Sequence, residues 1–91
     1  MESRMSSDNQ IDINVIVNGQ PTTVNKANLK APLHTVVQQA LKDSGNSGQP
    51  IENWELRDAV GQVLDLSRKL EDYGITAGAN LFLNLKAGVG G

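Results

Sequence analysis

Gly90 and Gly91 close the chain, preceded by Lys86-Ala87-Gly88-Val89. The chemistry open to such an ending is acyl transfer from a C-terminal carboxylate. Glycine has no Cβ, so the tail can thread an active-site tunnel too narrow for side chains. If extended, residues 86–91 reach about 20 Å beyond a folded domain. At a glycine usage of about 7%, two terminal glycines arise by chance in roughly one chain in 200, so the tail needs support from the domain before it. Other residues offer less. His34 is the only histidine and the chain has no cysteine, so no second soft ligand shares a metal with it. Asp65, Glu71 and Asp72 read as a solvated acidic face. Trp54 alternates with Leu56 and reads as core. Tyr73 reads as structural, a largely buried ring with its hydroxyl bonded to nearby backbone. Phe82 is different: Leu81 and Leu83 point the other way, so it faces out and is open to a contact role.

Composition narrows the classes further. Ninety-one residues make one domain. Without cysteine there is no disulfide framework, thiol nucleophile or thiolate zinc site. The net charge of −2 is spread over interspersed acids and bases. No basic block exists to hold a phosphate backbone, so nucleic acid is not an expected partner. No apolar run approaches the ~20 residues of a membrane span, and the first ten residues lack the apolar core of a signal peptide. The reading is a cytoplasmic monomer with a disordered leader over residues 1–10, a domain over 11–85 and a flexible tail over 86–91.

The elements that would position the tail follow from periodicity. Ile11, Ile13, Val15 and Val17 alternate with Asp12, Asn14 and Ile16, which predicts a strand with one buried face. Asn18-Gly19 is a strong two-residue hairpin signal. Thr22–Val24 reads as the return strand, with Pro21 at its start where a missing N–H does least harm. Pro32 suits the first position of a helix. Leu33, Val36, Val37, Ala40 and Leu41 then recur at helical spacing, Lys42 meets the negative dipole end, and Gly45 stops the helix. Trp54 and Leu56 predict a third strand, and Val63-Leu64 a short fourth. Leu70, Tyr73 and Ile75 form a compact turn with Gly74 at a positive φ. Leu81, Leu83 and Leu85 mark the last strand. The order is β-β-α-β-β-turn-β, most simply one helix covering one face of a mixed sheet.

That order with a terminal Gly-Gly resembles ubiquitin. Arg68-Lys69-Leu70-Glu71-Asp72-Tyr73-Gly74-Ile75 is similar to ubiquitin's tyrosine segment. Leu81-Phe82-Leu83-Asn84-Leu85-Lys86 is similar to its last strand, and Gly61-Gln62-Val63-Leu64 to its preceding turn and short strand. The Asn-Gly hairpin, Trp54-Glu55-Leu56-Arg57-Asp58 and the ending Leu-Lys-Ala-Gly-Val-Gly-Gly look closest to bacterial ubiquitin-like modifiers of eukaryotic-type conjugation pathways. The resemblance covers residues 11–91. It implies an α+β, ubiquitin-like β-grasp fold, with a mixed four- to five-stranded sheet and one main helix on one face. It also implies a substrate rather than an enzyme. An activating enzyme using ATP and Mg²⁺ would adenylate Gly91 and take the acyl group onto its own cysteine. A conjugating enzyme would deliver it to target lysines, and a deconjugating protease would remove it. Gly90 and Gly91 are then the reactive end, and Lys86, Ala87, Gly88 and Val89 the activating-enzyme contact. No bound cofactor or metal is implied.

Departures from ubiquitin carry their own expectations. Its apolar docking patch matches Glu55 and Asn84, both polar here, and Phe82 replaces a neighbouring histidine. These three form the expected partner surface, and generic ubiquitin-reading domains should bind it poorly. Gln62 and Ala77 stand where ubiquitin has its two best-known chain-forming lysines, so chains through those sites are impossible. Lys86 replaces an arginine that helps select the activating enzyme, and Val89 lengthens the tail by one residue; both favour a cognate activating enzyme. Two rival functions share these features. One is a sulfur carrier bearing a C-terminal thiocarboxylate, which Val17-Asn18-Gly19-Gln20-Pro21 and Ala87–Gly91 also resemble. The other is a non-covalent interaction domain with an inert tail.

Overall fold

A computed structural model of the chain describes residues 9–86. Four strands form one mixed sheet: β1 (Gln10–Val17), β2 (Gln20–Asn28), β3 (Trp54–Arg57) and β4 (Asn80–Leu85). Their spatial order is β2-β1-β4-β3. The β1–β2 and β3–β4 pairs are antiparallel, and β1 runs parallel to β4. One helix, α1 (Leu33–Asp43), covers one face of the sheet. Short 3₁₀ turns occupy Ile51–Asn53 and Leu70–Tyr73. This is the ubiquitin-like β-grasp arrangement.

The hairpin forms where its turn chemistry places it. Asn18 and Gly19 both take positive φ, 50° and 85°, as a type I′ turn requires. Strand β2 runs further than the Thr22–Val24 stretch expected from alternation. Two residues, Asn25 and Lys26, oppose the single Asp12 between the Ile13–Val24 and Ile11–Ala27 pairs. Lys26 sits at φ 58° with its N–H on the Asp12 carboxylate at 2.9 Å. This bulge shifts the register by one residue and turns Ala27 into the core. Strand β1 also begins earlier than the leader boundary at residue 10 allowed. Gln10 pairs with Asn28, and the Asn9 carbonyl accepts the Leu29 N–H at 2.7 Å. Residues 1–8 of that leader lie outside the described residues.

The helix buries the five apolar side chains its periodicity selects: Leu33, Val36, Val37, Ala40 and Leu41. Pro32 is its N-cap rather than its first helical residue. The extended backbone of Pro32 bridges to Lys69, and the Arg68 and Leu66 carbonyls accept the Leu33 and His34 N–H groups at 2.8 and 3.0 Å. The 66–68 loop therefore does the work of a capping side chain. At the other end Asn46 donates to Leu41 and Gly45 to Lys42, at 2.7 and 3.2 Å, with Gly45 at φ 77°. This is the paired Schellman closure that a left-handed glycine permits.

The core joins the helix to Ile13, Val15, Val17, Val24, Trp54, Leu56, Leu64, Leu70, Leu81 and Leu83. Trp54 is 2% exposed, and its indole N–H has no hydrogen-bond partner. Val63-Leu64 does not form the fourth strand expected. A single Arg57–Val63 bridge remains, flanked by the Asp58 N–H bond to Gln62 at 3.0 Å and the Leu64 N–H bond to Leu56 at 2.8 Å. The Asp58 carboxylate captures the Val60 and Gln62 N–H groups at 3.1 and 2.9 Å. That holds the chain in a turn, and it leaves the pairing direction after one bridge to drop Leu64 into the core.

Tyr73 is half-buried rather than largely buried, and its hydroxyl does bond to nearby backbone, accepting the Asp65 N–H at 2.9 Å. The bond ties the 3₁₀ turn to the loop after Leu64. Nearby, the Ser67 hydroxyl and N–H donate to the Asp65 carboxylate and, with the Arg68 charge, hold its pKa below the ordinary aspartate value. Tyr73→Phe deletes the hydroxyl and is expected to cost about 1 kcal/mol, read as a lower denaturant midpoint with an unchanged slope. A midpoint equal to wild type would show that the loop does not depend on this bond.

Candidate functional site

One face of the sheet carries the helix; the other is open. Side chains alternate along each strand, so Asn14 and Ile16 of β1, Phe82 and Asn84 of β4, and Glu55 and Arg57 of β3 share the open face. The ladders place them in rows. Pro21 pairs with Ile16, Ile16 with Phe82 and Phe82 with Arg57, so one row crosses all four strands. Next to it on one side, Thr23, Asn14 and Asn80 make a polar row. The Asn14 amide donates to Asn80 at 3.1 Å, and the Thr23 hydroxyl donates to Asn14 at 3.5 Å. On the other side Glu55 stands directly opposite Asn84.

The expected trio of Glu55, Phe82 and Asn84 is therefore brought onto one surface. Phe82 is 36% exposed, unusual for a large apolar side chain here. Glu55 is not a loose surface charge. Its carboxylate is ion-paired with Arg57 and accepts the Arg57 Nε–H at 2.6 Å, while another Arg57 nitrogen donates to the Gly61 carbonyl at 2.9 Å. A guanidinium held at both ends fixes Glu55 in place and nearly cancels its charge locally. The surface is thus an aromatic–aliphatic strip, Pro21–Ile16–Phe82, ending on a pinned Arg57–Glu55 pair. Val63, 52% exposed, borders the same strip through its bridge to Arg57.

Sequence reasoning missed Pro21, Ile16 and Arg57 as members of this face. The signal was present in Ile16, an isoleucine standing in the outward register of β1. Which residues flank it depends on the β2-β1-β4-β3 order, and no single segment reveals that.

The tail begins beside this face. Strand β4 is interior to the sheet, between β1 and β3. Lys86 is exposed, and its N–H bonds to the Asn53 carbonyl at 2.8 Å. The chain is therefore anchored up to the residue from which the tail departs. Ala87, Gly88, Val89, Gly90 and Gly91 lie outside the described residues. Gln62 and Ala77 are both exposed. His34 is exposed on the first turn of α1. Among the described residues no group of three or more His, Cys, Asp or Glu side chains is placed to hold a metal ion, and no helix is long and apolar enough to cross a membrane.

A domain that reads ubiquitin through an apolar patch should not saturate this face. Docking would have to desolvate the Glu55–Arg57 pair, and burying ionised groups costs several kcal/mol. The check is a titration of labelled protein with such a domain, following amide shifts. Saturable shifts centred on β3 and β4 would contradict it.

A family described as "Protein of Unknown function (DUF2604)" matches residues 6–91. The "Uncharacterized protein y4jI" of Sinorhizobium fredii (strain NBRC 101917 / NGR234) is 50% identical over 82 residues, which is 90% of this chain. The chain spans 62% of the length of that relative. Among solved structures, a de novo design based on ubiquitin aligns with TM-score 0.74 at 21% identity, covering 91% of this chain and 96% of the design. Caldiarchaeum subterraneum ubiquitin aligns with TM-score 0.70 at 21% identity, covering 90% of this chain and 99% of its own. At that identity the likeness establishes the fold.

Proposed function

The chain belongs to the "Protein of Unknown function (DUF2604)" family, and we propose that it acts as a ubiquitin-like modifier conjugated through Gly91. One conjunction carries this reading: a ubiquitin-like domain whose anchored last strand is followed, five residues after Leu85, by Gly90-Gly91. In the proposed chemistry a Gly91 carboxylate oxygen attacks the α-phosphorus of ATP on an activating enzyme. Pyrophosphate leaves and an acyl adenylate forms. A cysteine thiolate of that enzyme displaces AMP to give a thioester. After transfer to a conjugating enzyme, a target lysine amine displaces the thiolate and an isopeptide bond forms. ATP and Mg²⁺ belong to the activating enzyme. This chain supplies an electrophile and a docking surface, and no acid, base or metal.

The steps need Gly91 to carry the free carboxylate, as this sequence ends or after a deconjugating protease trims a longer precursor. Lys86 to Val89 enter the activating enzyme's channel, and the Pro21–Ile16–Phe82 strip with Glu55 and Asn84 meets a partner. The pinned Arg57–Glu55 pair favours cognate enzymes over borrowed ubiquitin machinery. The resemblance of the Asn-Gly hairpin, the Trp54–Asp58 stretch and the tail to bacterial ubiquitin-like modifiers favours a bacterial pathway of eukaryotic type, which would run in the cytoplasm.

Mass spectrometry of protein from its native cell tests the reading. Trypsin cuts after Lys86, so conjugates leave Ala-Gly-Val-Gly-Gly on target lysines. A Gly91 thiocarboxylate, with sulfur in place of one oxygen, would instead establish the sulfur carrier. An unmodified Gly91 with no remnant on any lysine would leave the non-covalent domain.

A further inference from the structure

The open face of the sheet reads the same from either side of its midline. Strands β1 and β4 are the two central strands, and they run parallel. Asn14 is level with Asn80, and Ile16 with Phe82. One step on, the Asn18 N–H donates to the Leu83 carbonyl at 3.0 Å, and the same register sets Asn18 level with Asn84. Each central strand thus offers an amide, a large apolar side chain and a second amide, in the same order and direction. Residues 14–18 and 80–84 include no ionisable side chain.

A two-fold axis along this midline, parallel to the strands, exchanges β1 with β4 and keeps their direction. Two copies set face to face about that axis bring Ile16 onto the other copy's Phe82. Asn14 then meets the other copy's Asn80, and Asn18 its Asn84, with every contact made twice. A carboxamide carries both donors and an acceptor, so the amide rows can satisfy one another. Like charges do not meet at the centre. The strand directions agree, as in aligned sheet packing. Sheet twist splays the outer strands apart, so the Glu55–Arg57 pair on β3 stays hydrated at the rim and escapes the cost of desolvation. The other face-to-face two-fold, running across the strands along the Ile16–Phe82 row, would set Arg57 against Arg57, a like-charge contact.

We propose that the open face pairs with the open face of a second copy of this chain, as a reversible isologous dimer rather than the monomer expected from the sequence. Ile16 and Phe82 form its apolar centre and the asparagines fix its register. Ile16 is half-buried and Phe82 36% exposed, so the apolar contact is small. The dissociation constant should fall in the range of roughly 0.1–1 mM, and pairing strengthens where two copies are held close together. The dimer does not rest on conjugation through Gly91. It does cover the face offered to partners, so a partner that docks there must displace the second copy.

The test is a dilution series of the ¹⁵N-labelled full chain from about 2 mM down to about 0.05 mM. The expected result is saturable shifts confined to residues 14–18 and 80–84, with slower tumbling at the high end. In a mixture of labelled and unlabelled copies, isotope-filtered spectra should show a nuclear Overhauser contact from Ile16 methyls to the other copy's Phe82 ring. Ile16→Lys and Phe82→Glu should each weaken self-association at least about tenfold. An equimolar mixture of the two variants should recover most of it, because one central contact stays native and the other becomes a lysine–glutamate pair. Should either variant disturb the fold, the isotope-filtered contact decides the matter on the wild-type chain alone. Shifts that do not change with concentration, shifts centred on α1 or β2, a contact from Phe82 to Phe82, or a variant mixture no tighter than its components would each overturn the proposal. None of these outcomes bears on whether Gly91 is activated.

Discussion

Trp54→Ala lowers stability by roughly 3–5 kcal/mol, the range for deleting a large core aromatic. Trp54 is 2% exposed and among the largest fully buried side chains of a small core. It stands on β3 opposite Leu85, at the point where the tail leaves the domain. Small domains are stable by only about 5–15 kcal/mol, so the variant should lose from about a fifth to all of its stability. Its melting point should fall by more than about 12 °C. Trp54→Phe should cost much less, because it keeps an aromatic ring and removes an indole N–H that has no acceptor. Denaturant melts of the three proteins, followed by far-ultraviolet circular dichroism since the variants lack the only tryptophan, decide the matter. Near-wild-type stability for Trp54→Ala would mean that the ring is not packed, and would reopen a binding role for it.

The loss should leave the open face of the sheet assembled in whatever fraction remains folded. Glu55, Arg57, Phe82 and Asn84 are held by ladder pairing and by the Arg57 bonds to Glu55 and Gly61. Trp54 faces the opposite side.

Much of this architecture is legible in short windows of sequence. Alternation around Ile13, Val15 and Val17, the Asn18-Gly19 turn and the helical spacing of Leu33 to Leu41 are local signals, and each element forms where its signal lies. Trp54 inward and Phe82 outward follow from their flanking leucines alone. The departures share a cause: they are set by contacts distant in sequence. Asn25-Lys26-Ala27-Asn28 has no alternation to read, yet it extends β2, because the Asp12 carboxylate stabilises a bulge that brings Ala27 inward. Pro32 caps rather than starts the helix because the 66–68 loop accepts the first helical N–H groups. Val63 fails as a strand because Asp58 commits its neighbours to a turn. The candidate face divides in the same way. Glu55, Phe82 and Asn84 are recognisable from resemblance and register. Their companions Pro21, Ile16 and Arg57 appear only once β1 is laid parallel to β4.

The central claim concerns Gly91, and deleting Gly90-Gly91 should abolish activation while leaving the fold intact. Every residue of the described core, with those packed against it, lies between Ile11 and Leu85, so the deletion removes no described apolar contact. Its effect falls on the chemistry. The reactive carboxylate retreats by about 7 Å, and a displacement far smaller than that from a near-attack geometry is enough to cripple a reaction. Gly91→Val keeps the length but puts a branched Cβ where the activating enzyme's channel is shaped for none, and it should charge poorly for that separate reason. The measurement is formation of a reducible thioester on the cognate activating enzyme with ATP and Mg²⁺, beside a melting curve for each protein. Wild type should charge, and the deleted form should melt at the same temperature and fail to charge. A deleted form that charges at the wild-type rate would contradict the account, because Gly91 would then not be the end that reacts.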